Sequence, residues 1–225
     1  MSHAIELPVG GWQPFTMVDF PGILSAVVFC QGCPWKCRYC HNADLQDFRR
    51  DSPTLRWPML VERLRKRRGF LDGVVFSGGE PTAHSGLPAA IRECREMGFS
   101  IGLHTAGIYP GRLRGVLPLV DWVGFDVKAP LDVRYDRVTL VKDSASRVGE
   151  SLRFLKESGV CCQLRVTCHP ALLTARDLDE IRAEVKRREL PAPVFQMFRA
   201  EGCVDRNLIE AASVYEESSY QARQV

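Results

Sequence analysis

Short apolar runs alternate with amphipathic segments along most of the chain, and that alternation restricts the fold more than any other feature. Leu24–Cys30, Gly73–Phe76, Phe99–His104, Trp122–Val127, Cys161–Thr167 and Val194–Phe198 read as strands. Between them, Leu60, Val61 and Leu64 share one face of a helix that ends by Gly69. Further helices are expected over Leu87–Met97, Arg112–Leu117, Val148–Glu157 and Leu178–Arg188, and one around Asn207–Glu217 in a polar tail. Six strand–helix units predict an α/β fold with a parallel sheet, because each parallel crossover needs a helix to return the chain. Six are too few for a closed eight-stranded barrel. A partial (β/α)6 TIM-like barrel fits better than a doubly wound sheet, though periodicity alone leaves both open.

Composition narrows the function classes. The 225 residues are 45% hydrophobic and 25% charged, which excludes disorder and coiled coil for the whole chain. A net charge of +3 is too mild to imply a nucleic-acid partner. The basic run Arg63–Arg68 sits at a helix end, where cations face water and complement the dipole. Met1–Gly11 has no apolar core flanked by basic residues, and Ile23–Cys30 is too short to cross a bilayer. The expectation is a cytoplasmic protein without a membrane partner. There the nine cysteines stay reduced, so metal or redox chemistry explains at least some of them.

In parallel α/β folds the chemistry collects at the C-terminal ends of the strands. The conspicuous residues fall there: Cys30–Cys40, then Ser77-Gly-Gly-Glu-Pro81, His104-Thr-Ala-Gly107, Asp126 with Lys128, and His169-Pro170. Cys33, Cys37 and Cys40 have the spacing C-x3-C-x2-C, which can direct three soft thiolates at one object. A four-iron cluster on three cysteines keeps one iron open to a small molecule. A zinc knuckle with Cys30 as fourth ligand stays open on spacing alone, although Cys30 ends an apolar strand and reads more simply as a buried wall residue. Tyr39 is either an adenine-stacking ring or a packing aromatic. Cys94, Cys161, Cys162 and Cys168 read as buried structural residues.

The segments Met17–Gly22, Gln31–Asn42, Ser77–Thr82, Asp126–Pro130, Arg165–Pro170 and Gln196–Arg199 together resemble the radical S-adenosylmethionine (SAM) enzymes that activate glycyl radical proteins. Within that family they are closer to the activating proteins of anaerobic ribonucleoside-triphosphate reductase than to those of pyruvate formate-lyase. The resemblance implies one radical SAM domain over 1–225, its core over 20–200, with a [4Fe-4S] cluster on Cys33, Cys37 and Cys40. It implies SAM contacts from Tyr39, Gly78, Gly79, Glu80, Thr105, Asp126 and Lys128. It implies reduction by flavodoxin or ferredoxin, and a 5′-deoxyadenosyl radical that takes a hydrogen atom from a glycine of the partner. That partner is expected to be anaerobic ribonucleotide reductase.

His104 departs from the pattern, since relatives carry an Asp there that in some helps hold a monovalent cation; a satisfied wall histidine is the favoured reading. Arg199, Cys30 and Cys203 receive no role, and the sequence leaves the oligomeric state open. Two other functions fit less well. One is a compact radical SAM enzyme acting on a small molecule, as deazaguanine synthases do. The other is a non-catalytic zinc domain contacting nucleic acid, which leaves Gly78–Pro81 unexplained.

Overall fold

The computed structural model describes residues 5–48 and 55–214. The apolar runs form β2 (Ser25–Cys30), β3 (Gly73–Gly78), β4 (Ser100–Thr105), β5 (Trp122–Asp126), β6 (Cys161–Cys168) and β7 (Val194–Met197), preceded by a strand that the runs did not announce, β1 (Val9–Thr16). The helices are α1 (Trp57–Arg65), α2 (Leu87–Glu96), α3 (Pro110–Val116), α4 (Val133–Thr139), α5 (Ser144–Ser158), α6 (Ala175–Arg187) and α7 (Arg206–Val214). Positions 215–217 of the last expected helix lie outside the described residues.

All seven strands form one sheet in the order β1-β2-β3-β4-β5-β6-β7. β1 runs antiparallel to β2, and every later neighbour is parallel. The strand order never reverses, so no switch point divides the helices between two faces. The result is the expected partial (β/α)6 barrel with one added strand, open between its edges β1 and β7.

The two faces of the sheet carry different cores. Val28, Phe76, Leu103 and Phe125 point outward and pack with helix residues such as Leu60, Ile91, Leu113 and Leu152. Inside, Phe20, Val27, Val75 and Trp122 form a separate cluster without a helix residue. Phe20 belongs to the β1–β2 connection, which turns into the lumen and stacks on Trp122 at 5.6 Å. Gly73 and Gly102 make room for it, since a Cβ at either would lie 3.3 or 3.2 Å from the Phe20 ring. This apolar plug fills the lower barrel and leaves the upper lumen to polar side chains. Among the described residues no helix is long and apolar enough to cross a membrane.

Because Phe20 is 6% exposed and closes the barrel floor, Phe20→Ala should lower the unfolding free energy by roughly 3 kcal/mol. Urea denaturation measures this, and a loss below about 1 kcal/mol contradicts the plug.

Candidate active site

A cavity of about 780 Å³ lies at the C-terminal ends of the parallel strands and takes lining residues from each of them. It gathers Cys33, Cys37, Tyr39, Cys40, Gly78, Gly79, Glu80, Thr105, Asp126 and Lys128, all of the site residues expected from the sequence. It also contains Asp19, Ser77, His104, Arg165, Thr167 and Arg199. His169 is not among them: it is fully buried, and its Nε2 bonds the Leu208 carbonyl at 2.9 Å, anchoring α7 instead.

The cysteine loop is held from both sides. Gly32 and Cys33 donate their amides to the carbonyls of Leu45 and Gln46, at 2.7 and 3.1 Å. Lys36 and Arg38 donate to the carbonyls of Thr139 and Val138, at 3.1 and 3.2 Å. Those carbonyls end α4, where a helix has no internal donors left for them. The unforeseen α4 therefore shapes the loop. The C-terminal segment closes its flank: Arg38 Nε meets Asp205 at 2.9 Å, the Cys203 thiol donates to the Arg38 carbonyl at 3.5 Å, and His41 packs on Phe198. Cys203 thus has a packing role.

Burial raises the Cys33 thiol to about 12, with the Glu80 carboxylate adding to the effect. Burial likewise raises Cys37 to about 11, against the pull of Lys128. Thiols raised in this way would release their protons on binding iron. Cys30 is fully buried in β2, does not line the cavity, and its thiol is pushed up by burial. Among the described residues no three His, Cys, Asp or Glu side chains are grouped to hold a single ion. Three thiols around a wide cavity, with Cys30 kept out, fit a cluster with one unliganded iron better than a zinc quartet. Cys161, the first residue of β6, is exposed and not buried as expected; Cys162 is half-buried, while Cys94 and Cys168 are buried.

The glycines after β3 serve the loop beside them. Gly78 has φ +110°, and a Cβ on Gly79 would lie 2.3 Å from the Gly32 carbonyl. In that close approach Gly79 N–H donates to Cys30 O at 2.9 Å and Glu80 N–H to Gly32 O at 3.0 Å. Glu80 is buried. Its Oε1 accepts from Thr82 N, Thr82 Oγ1 and Thr105 Oγ1 at 3.0, 2.6 and 2.7 Å, and its Oε2 from Ala106 N at 3.0 Å. The carboxylate ties the loops after β3 and β4 together, and Oε2 retains one accepting direction. Burial raises its pKa while these four donors oppose the rise.

Deeper in the lumen, Arg165 Nε donates to Asp126 at 2.9 Å. Burial pushes the Asp126 carboxyl up, but Arg165 and Lys128 outweigh it and hold the group below the usual carboxylate range. Lys128 makes no ion pair among the described residues; its Nζ sits 5.6 Å from the Tyr39 ring centroid, covering a face that a stacked base would need. His104 is the satisfied wall residue expected. Its Nε2 lies 2.8 Å from the Asp19 carbonyl and so carries the proton, while Nδ1 faces Ser77 Oγ at 3.3 Å. Arg165 and Asp19 lay within segments that carried the resemblance but had received no role. Their signal was a polar residue in alternation along β6 and a loop that returns into the barrel.

The radical SAM superfamily model matches residues 27–185. The chain belongs to the radical SAM superfamily, whose enzymes use a [4Fe-4S] cluster and SAM. It is 30% identical to a protein of Methanocaldococcus jannaschii assigned as a glycyl-radical enzyme activating enzyme, over 88% of this chain and 82% of that one. It is 30% identical to a pyruvate formate-lyase-activating enzyme of Streptococcus mutans, over 77% and 69%. A 7-carboxy-7-deazaguanine synthase of Thermococcus kodakarensis is 31% identical over 57% of each chain. SuiB of Streptococcus suis, solved with its precursor peptide SuiA, shares the fold, with a TM-score of 0.62 at 16% identity over 82% of this chain and 44% of that one.

Burial and Arg165 push His104 down to about 4, so native His104 stays neutral where the unfolded chain takes up a proton. Stability is then present near neutral pH and is lost as pH falls from about 6.5 toward 4, by up to about 1.4 kcal/mol per unit. Urea unfolding across that window should show a shallower decline for His104→Asn; equal slopes would contradict the assignment.

Proposed function

We propose that this chain is an activating enzyme that generates a glycyl radical on a partner protein, with anaerobic ribonucleotide reductase as that partner. The observation that carries the reading is the set of three cavity-lining thiols, Cys33, Cys37 and Cys40, with Cys30 excluded, beside Gly78–Glu80 in a barrel open between β1 and β7. An open mouth suits a protein loop as substrate. The likeness to an activating enzyme over most of both chains supports the same reading.

When bound, the cluster supplies the electron that cleaves SAM to methionine and a 5′-deoxyadenosyl radical, which takes a hydrogen atom from a glycine α-carbon. The chain's own part is binding and exclusion of water. Cys33, Cys37 and Cys40 are the ligands. Gly78, Gly79 and Glu80 receive the SAM ammonium, with Thr105 holding Glu80 in place. Lys128 pairs with the SAM carboxylate, Asp126 faces the ribose, and Tyr39 borders the cluster side. Flavodoxin or ferredoxin is the external reductant. The chain acts as one radical SAM domain in the cytoplasm.

The T. kodakarensis likeness favours a second reading, turnover of a small heterocycle without a partner, but it spans only 57% of this chain. The test is anaerobic reconstitution with iron and sulfide, reduction with dithionite, and addition of SAM and anaerobic ribonucleotide reductase. The expected result is 5′-deoxyadenosine together with a glycyl radical EPR doublet, both abolished by Cys37→Ala. Deoxyadenosine with no doublet would reject the reductase as partner, and no deoxyadenosine at all would reject the enzyme assignment.

A further inference from the structure

Arg38 lies between the second and third cysteines of the loop, and the chain holds it at three points. Its amide donates to the Val138 carbonyl at 3.2 Å, its carbonyl accepts from the Cys203 thiol at 3.5 Å, and its Nε donates to Asp205 at 2.9 Å. The last two contacts come from 165 and 167 residues further along the chain, in the segment after β7. The same segment meets the loop again at His41, whose ring packs on Phe198 at 5.7 Å. Gly202 permits the approach: its φ is +76°, and a Cβ there would lie 1.9 Å from the His41 carbonyl oxygen.

This segment is itself fastened to the barrel. Phe198 N–H donates to the Cys168 carbonyl at 3.0 Å, and the Phe198 ring meets His169 edge-on at 4.7 Å. His169 Nε2 bonds the Leu208 carbonyl at 2.9 Å. Asp205 divides its oxygens, Oδ2 accepting from Arg38 and Oδ1 from the Leu208 amide at 3.2 Å. The end of β6 thus holds both ends of the segment, and the segment holds Arg38.

The Arg38 and Asp205 side chains are 34% and 21% exposed. A pair that open to water adds little to global stability, because solvent screens it and ordering two side chains costs entropy. Its place between Cys37 and Cys40 points to a local role instead. Contacts that orient metal ligands from outside the ligand set govern how firmly the metal is kept.

We infer that residues 198–208 clamp the Cys37–Cys40 half of the loop, and that the Arg38–Asp205 pair is a positioning contact that slows the loss of iron from the cluster. The Cys33 half is held instead by the Leu45 and Gln46 carbonyls. The inference rests on the three-cysteine cluster assignment and not on the identity of the partner.

The test compares wild type with Asp205→Asn, Arg38→Gln and the double variant, each reconstituted anaerobically to equal iron and sulfide content. Asparagine keeps an oxygen for the Leu208 amide, so α7 stays capped while the ion pair is lost. Iron release to bathophenanthroline is followed without SAM, and thermal unfolding is measured on the cluster-free proteins. Each single variant should release iron about tenfold faster than wild type. The double variant should be no faster than either single one, because both remove the same contact. The cluster-free variants should unfold close to the wild-type temperature, as a partly exposed pair requires. Release at the wild-type rate in both single variants would overturn the inference. So would a double variant whose acceleration is the product of the two, or faster release with a lower unfolding temperature of the cluster-free protein, which marks general loosening. A wild-type protein that assembles no cluster would instead overturn the cysteine assignment itself.

Discussion

The mouth of this barrel depends on one close contact, the flat apposition of the loop after β3 against the start of the cysteine loop. Two main-chain hydrogen bonds join them, and the absence of a side chain at Gly78 and Gly79 lets the backbones approach that closely. Glu80 extends the contact to a third strand end through Thr105 and Ala106. A buried carboxylate with four donors is a stiff joint, since losing any one leaves charge in a low-dielectric surround. Hydrogen bonds thus tie the start of the cysteine loop, the glycine loop and the β4 loop together, which suits a site that must hold two cofactors in contact.

Charge is arranged in layers above the apolar floor of Phe20 and Trp122. Arg165 and Asp126 neutralise each other in the lumen, with neutral His104 beside them. Lys128 and Arg199 are cations that line the cavity without an ion pair among the described residues. A cation beside buried thiols stabilises their deprotonated form and is available for a ligand carboxylate. The cysteine loop itself is fixed by protein contacts on each side, through α4 and the Arg38–Asp205 pair. Its geometry is thus set by chain segments well separated in sequence.

The parallel strands were legible because each is a short apolar run between helical patterns, and the cysteine spacing marked the site. β1 was not, since Gly10, Gly11 and Pro14 read as breakers; an edge strand tolerates them because its outer side needs no ladder. α4 was hidden by its shortness and its mixed surface, and shows itself through the Asp132 cap that accepts the Arg134 amide at 2.8 Å. Which strand residues face the lumen could not be read from period-two patterning, because the lower lumen is apolar like the outer face. That is why Arg165 escaped a role and why exposed Cys161 was expected to be buried. Glu80 lines the cavity, but its bonds were not legible, since four donors from two loops converge on it only after the chain has folded.

The most direct test of the central claim is Mössbauer spectroscopy of protein reconstituted with iron-57, recorded with and without SAM. The three-cysteine cavity predicts a [4Fe-4S] cluster in which a single iron, the one without a cysteine, changes its isomer shift when SAM is added. Four irons that all ignore SAM, or a protein that takes up zinc and no iron, would contradict it.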